Sequence, residues 1–67
     1  MSYTSVNDAI LAATNINAAS QEREAAIAYL GSHPSAESIN ALIDLLETDD
    51  AGVRWKAADA LAGLGKR

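Results

Sequence analysis

The stretch at residues 49–65 reads DDAGVRWKAADALAGLG, and the first half of the chain carries a fainter copy of it. Arg54 and Ala57 in this stretch each follow a residue of the same type, Arg23 and Ala26, by 31 positions. A repeat period of about 30 to 45 residues is typical of solenoids that are built from helical hairpins. The sequence therefore predicts an all-α chain, a fragment of an α/α solenoid with two helical hairpins and four helices.

The size and composition of the chain limit what it can be. Its 67 residues form one small domain, and a domain of this size buries only about 60% of the surface that its unfolded form exposes. There is no cysteine, so neither a disulfide nor a thiolate metal site can form, and the single His33 cannot complete a four-ligand zinc site. We therefore expect no metal and no cofactor. Since 49% of the residues are apolar but only 4% are aromatic, we expect a core of Ala, Leu, Ile and Val.

The charge balance argues against nucleic acids as partners. The net charge is −4, and five basic residues are dispersed among nine acidic ones, whereas nucleic-acid-binding proteins cluster Lys and Arg. No apolar run approaches the ~20 residues of a membrane span, and the first residues, MSYTSVND, lack the apolar region of a signal peptide. We expect a cytoplasmic protein that binds neither nucleic acid nor membranes.

The first hairpin is predicted at residues 5–33. A Ser-x-x-Asp capping box opens its first helix at Ser5, and the sequence TNINAA at 14–19 is expected to form the turn. Ser20 is predicted to cap the second helix. Gly31 suits the left-handed conformation that often follows a helix, and the proline soon afterwards prevents the helix from continuing.

The second hairpin is predicted at residues 35–65. Ser35 begins the third helix, and Asp50 is the natural N-cap of the fourth, which Gly65 can end. The third helix has the clearest amphipathic pattern in the chain. Its apolar residues recur at positions i, i+3, i+4 and i+7, and they are Ile39, Leu42, Ile43 and Leu46.

The two hairpins differ in polarity. The first has Glu22 where the second has Val53, and His33 where the second has Leu64. A polar outer face is what the terminal, capping repeat of a solenoid requires, so residues 5–33 are predicted to be a degenerate capping repeat. The second hairpin is more apolar, and solenoids usually need three or more repeats. We expect either a second copy of the chain or further repeats to cover it, and we favour self-association.

The second hairpin resembles the HEAT repeat family. The residues that carry the resemblance are Leu45-Leu46, the short acidic turn, Val53-Arg54, Ala57-Ala58 and Ala60-Leu61. The short period is most similar to the HEAT-like repeats of phycobilisome lyases, and the match is best over residues 35–65. The resemblance implies a structural role for Arg54, which in the family pairs with acidic residues of the inter-helix turn and links neighbouring repeats. It also implies that Asp50 is the acidic N-cap of this turn.

The predicted function is a non-catalytic scaffold that binds a protein partner in the groove between the second and fourth helices. Lys56, Asp59 and Arg23 fall where the inner surface of a solenoid would be. Trp55 lies away from the apolar stripe of its helix, so it either packs against a neighbouring repeat or binds a partner. The identity of the partner does not follow from the sequence.

The sequence gives little support to catalysis. It has no phosphate-binding glycine loop, no nucleophile elbow, no zinc-protease motif and no nucleophilic cysteine. We therefore predict no catalytic residues. The alternative, that the chain is a subunit or fragment of a phycobilisome-type chromophore lyase system, rests on the family resemblance alone.

Overall fold

The computed structural model describes residues 5–64, which form four α-helices and no strand. The helices are α1 (Val6–Thr14), α2 (Ser20–Ser32), α3 (Ala36–Leu45) and α4 (Ala51–Leu64). α1 packs on α2 and α3 on α4 as two hairpins, while α2 lies beside α4 and α1 contacts α3. The prediction of an all-α fold with two helical hairpins is confirmed. The predicted end of α4 at Gly65 lies outside the described residues.

Three predicted N-caps are confirmed. The hydroxyl of Ser5 accepts a hydrogen bond from the backbone N–H of Asp8 at 3.2 Å, and the hydroxyl of Ser35 accepts one from Ser38 at 3.1 Å. The carboxylate of Asp50 accepts one from the N–H of Val53, also at 3.1 Å. Each bond satisfies an N–H group that has no partner within its helix.

The predicted cap at Ser20 is wrong. Ser20 is the first helical residue of α2, and the N-cap is Ala19, which makes no side-chain hydrogen bond to the helix. The hydroxyl of Ser20 donates instead to Oδ2 of Asp50, at 2.5 Å. A carboxylate brought close by the tertiary fold has replaced the local backbone N–H as its partner.

The core is built from small and aliphatic side chains, as the composition predicts. Among residues 5–64, its buried members are Ala9, Ala13, Ala26, Ile27, Leu30, Ala41, Leu42, Leu45, Val53 and Ala57. Alanines are prominent among them, and their short side chains allow helix axes to approach closely while the leucines fill the space alongside.

The orientation of α3 differs from the one that its sequence pattern predicts. The buried side of α3 carries Ala41, Leu42 and Leu45 together with Ser38. Ser38 is buried without loss because its hydroxyl donates to the backbone carbonyl of His33 at 2.7 Å. Three members of the predicted apolar stripe are left 36% to 47% exposed, and they are Ile39, Ile43 and Leu46.

Gly31 does not end a helix in the left-handed conformation, so this prediction is also wrong. It lies inside α2, and no glycine among residues 5–64 has a positive φ. A Cβ atom on Gly31 would lie 3.3 Å from the Cβ atom of Ala60, which is a tight contact. Gly31 therefore serves the close approach of α2 to α4.

Candidate functional site

Arg23 does not lie on the inner surface as the sequence pattern predicts. Its side chain is only 5% exposed. Nε donates to the backbone carbonyl of Ala13 at 2.9 Å, and Nη2 donates to the hydroxyl of Thr48 at 3.4 Å. Ala13 lies near the end of α1, and Thr48 lies in the turn between α3 and α4. The guanidinium thus joins the inter-helix region of one hairpin to that of the other, and it is not available to a partner.

Asp50 forms a second connection between the hairpins. One of its carboxylate oxygens caps α4, and the other accepts the hydrogen bond from Ser20 at the start of α2. The hydrogen bond from Ser20 is the largest of the influences that lower the pKa of Asp50 below its ordinary value of 3.8. Hydrogen bonds from the backbone of Val53 and Gly52 and the charge of Arg23 act in the same direction, while burial opposes them.

Arg54, the counterpart of Arg23 in the second repeat, is exposed. Its Nη1 donates to the backbone carbonyl of Thr48 at 2.9 Å. Both arginines therefore bind a main-chain carbonyl oxygen within their own hairpin, and Arg23 in addition reaches the neighbouring hairpin. The pairing of Arg54 with acidic side chains and its link to a further repeat, which the resemblance implies, stay predictions.

A groove lies between α2 and α4, near their C-terminal ends. Its volume is about 270 Å³, and it is lined by Ala28, Gly31, Lys56, Asp59, Ala60, Gly63 and Leu64. The sequence predicts Lys56 and Asp59 on the inner surface, and the structure places both in the lining of this groove. They are one helical turn apart on α4, so an ammonium group and a carboxylate are presented side by side.

Trp55 does not line the groove, but it lies close to it. Its side chain is 74% exposed, and it is four residues from Asp59 on α4, which places the two on the same face of the helix. A tryptophan carries a large apolar surface, and here most of that surface is open to solvent. Both interpretations, a contact with a neighbouring repeat and a contact with a partner, stay predictions.

A family model for HEAT repeats matches residues 7–67, which is nearly the whole chain. The chain belongs to the HEAT repeat family. HEAT repeats generally serve as scaffolds for protein interaction and are generally not catalytic. No characterised protein and no solved structure gave a significant match. None of the helices within residues 5–64 has the length and apolar character needed to cross a membrane.

Sequence reasoning missed the small residues that form the floor of the groove in this HEAT-repeat chain. A signal for them exists, because both helices contain an alanine followed three residues later by a glycine. These pairs are Ala28–Gly31 in α2 and Ala60–Gly63 in α4. Residues three apart share a helix face, so each pair marks a face that is free of large side chains.

The link through Arg23 predicts that lysine cannot replace this arginine. Arg23→Lys keeps the charge, but a single ammonium nitrogen replaces the two separate nitrogens, Nε and Nη2, that reach Ala13 and Thr48, so we expect at least one of the two hydrogen bonds to be lost. Hydrogen bonds to charged groups contribute about 1.5–3 kcal/mol each, and we expect the free energy of unfolding, measured with urea, to fall by about that amount.

Arg54→Lys is the matched control, because Arg54 holds the same repeat position but is exposed. Surface substitutions usually change stability by no more than about 0.5 kcal/mol. If Arg23→Lys and Arg54→Lys lower the free energy of unfolding equally, the buried hydrogen bonds of Arg23 contribute no more to stability than the exposed one of Arg54.

The lowered pKa of Asp50 predicts a stability difference that depends on pH. Because the folded-state pKa lies below the unfolded value of 3.8, ionised Asp50 stabilises the folded state above pH 3.8. This contribution is lost as the pH falls through the folded-state pKa. Asp50→Asn keeps an N-cap acceptor but not the charge. We therefore expect the variant to have a lower urea midpoint than the parent at pH 6, with the gap closing below pH 3.8.

Ser20→Ala tests the cause of this effect, since it removes the largest contribution to the shift in the pKa of Asp50. In a chain that carries Ser20→Ala, the additional substitution Asp50→Asn should produce a smaller pH-dependent change in the urea midpoint. A difference between Asp50→Asn and the parent chain that stays constant as the pH falls from 6 to well below the unfolded value of 3.8 would contradict the assignment, because the stability that ionised Asp50 contributes should decrease once the unfolded chain begins to bind the proton.

Proposed function

We propose that this chain is a non-catalytic scaffold module that holds a protein partner in the groove between α2 and α4. The observation that carries the proposal is the groove itself, whose lining combines the opposite charges of Lys56 and Asp59 with small Ala and Gly residues. Neither charge forms an ion pair or hydrogen bond with other residues in the 5–64 range, so both remain available to a partner.

The exposure of Trp55 supports a contact that extends beyond the groove. Tryptophan is enriched among the residues that contribute most to protein–protein binding, and this one shares a helix face with Asp59. A partner seated in the groove could cover the exposed indole at the same time. Trp55, Lys56 and Asp59 therefore form the proposed binding surface, and Arg23 is left out because it is buried.

The family supports the non-catalytic part of the proposal, because HEAT repeats are generally not catalytic. The carboxylate of Asp50, whose pKa is lowered, caps α4 and joins the hairpins through its hydrogen bonds. This is a structural role.

The chromophore-lyase alternative is not favoured by the groove. Pockets that enclose small molecules usually measure about 300–1,000 Å³, and about 270 Å³ is little space for a linear tetrapyrrole. An absorbance shift on adding a bilin to the protein would favour the chromophore-lyase alternative over the scaffold. The cytoplasmic location inferred from the sequence stays a prediction.

The scaffold proposal is tested by capture of a partner from an extract of the source cells on immobilised protein. We expect Trp55→Ala and Asp59→Lys each to reduce the amount retained at least tenfold, which corresponds to about 1.4 kcal/mol of binding free energy. Asp44→Lys is the matched control, because it makes the same change of charge at an exposed site on α3. If Trp55→Ala and Lys56→Glu both leave capture unchanged, the groove is not the binding surface.

We also propose that a second copy of the chain covers the exposed face of α3. The side chains of Ile39, Ile43 and Leu46 lie on this face and are partly exposed, and burying such groups is favourable by about 25 cal/mol per Å². Light scattering at micromolar concentration should give the mass of two chains, and Ile43→Glu should give the mass of one. A mass of one chain for the parent protein, with a cooperative thermal transition, would contradict self-association.

A further inference from the structure

Gly63 has no structural explanation of the kind that Gly31 has. Glycine disfavours a helix relative to alanine, and Gly63 lies within α4. A Cβ atom on Gly31 would meet Ala60 at 3.3 Å, whereas one on Gly63 would find no atom of residues 5–64 within 4 Å. Neither glycine has a positive φ. Close packing therefore accounts for Gly31, but neither packing nor backbone conformation accounts for Gly63.

The absence of a side chain at Gly63 has one evident consequence, which is to leave the groove open. Gly63 lines the groove together with Lys56, Asp59 and Leu64. The volume of about 270 Å³ lies below the usual range for whole small-molecule ligands. It suits a single large side chain that enters from a bound protein.

The groups around the groove define what that side chain should carry. Ala28, Gly31 and Ala60 are small residues in the lining of the groove, and Leu64 adds a further apolar surface. These surfaces suit a planar aromatic ring. Lys56 can only donate hydrogen bonds and the carboxylate of Asp59 can only accept them, so a hydroxyl that both accepts and donates satisfies the two together.

We propose that the groove is a subsite for a tyrosine side chain of the protein partner. The ring would lie on the Ala and Gly floor, with the phenol oxygen accepting from Lys56 and its O–H group donating to Asp59. Phenylalanine would offer a hydrogen bond to neither charged group, and tryptophan could donate only to Asp59. This inference rests on the proposed function, since it names the residue that the same groove recognises.

The test uses N-acetyl-tyrosinamide and N-acetyl-phenylalaninamide as matched probes of the whole chain. Binding is followed by the NMR shifts of the backbone amides of Asp59 and Gly63 during titration. We expect the tyrosine probe to bind with a dissociation constant in the millimolar range and the phenylalanine probe about tenfold more weakly. Equal affinity for the two probes, or no shift with the tyrosine probe, would overturn the inference.

Two variants distinguish a loss of probe binding caused by filling the groove from one caused by unfolding. Gly63→Leu adds a side chain where no atom of the described chain stands within 4 Å, and leucine is the better helix former, so its thermal midpoint should not fall. It should abolish the shifts caused by the tyrosine probe. Gly63→Ala should bind the tyrosine probe more weakly than the parent chain but more tightly than Gly63→Leu. Binding that persists in Gly63→Leu would exclude the groove as the site.

The failure of this inference can be distinguished from the failure of the scaffold proposal. If Trp55→Ala and Asp59→Lys abolish partner capture while the tyrosine probe does not bind, the groove holds a partner through some other residue type, and the tyrosine assignment is wrong. If Trp55→Ala and Asp59→Lys leave partner capture unchanged, the scaffold proposal fails, whether or not the tyrosine probe binds.

Discussion

The buried guanidinium of Arg23 is the interaction on which the rest of the structure depends. Taking a charge out of water is costly unless it is hydrogen-bonded and compensated. Here Ala13 and Thr48 supply acceptors from opposite hairpins, and the ionised Asp50 lies near enough for the two charges to influence each other. The arginine can be buried only when the two hairpins are side by side, so its hydrogen bonds select that arrangement.

The two halves of α2 have different roles. The first half contains Ser20 and Arg23, which join the hairpins through Asp50 and Thr48. The second half contains Gly31, which allows the close approach to α4. Polar contacts hold one end of α2, and the close approach that Gly31 allows brings its other end to α4. The groove that Lys56 and Asp59 line lies between the two helices.

The sequence predicts the parts of this structure that depend on local patterns. The number of helices and the caps at Ser5, Ser35 and Asp50 follow from helical periodicity and from the chemistry of the first turn. These features involve residues only three or four positions apart, so a single sequence is enough to reveal them.

The parts that the sequence did not predict depend on contacts between distant residues. Arg23 was predicted on the inner surface of the solenoid, but its side chain is buried, and its acceptors are 10 and 25 positions away. Ser20 binds a carboxylate 30 positions away instead of capping its own helix. Gly31 resembles a helix end, but it faces Ala60 in another helix. In each case a tertiary partner outweighed the local preference.

Hydrogen exchange at the Nε–H group of Arg23, followed by NMR, tests the central claim most directly. If the side chain of Arg23 is buried only when the two hairpins lie side by side, its Nε–H proton should be protected from exchange as strongly as the backbone amides of the buried core residues Leu30 and Leu42, since all would require the same opening of the structure. An Nε–H proton that exchanges at the rate of a solvated guanidinium, while those amides remain protected, would contradict the account.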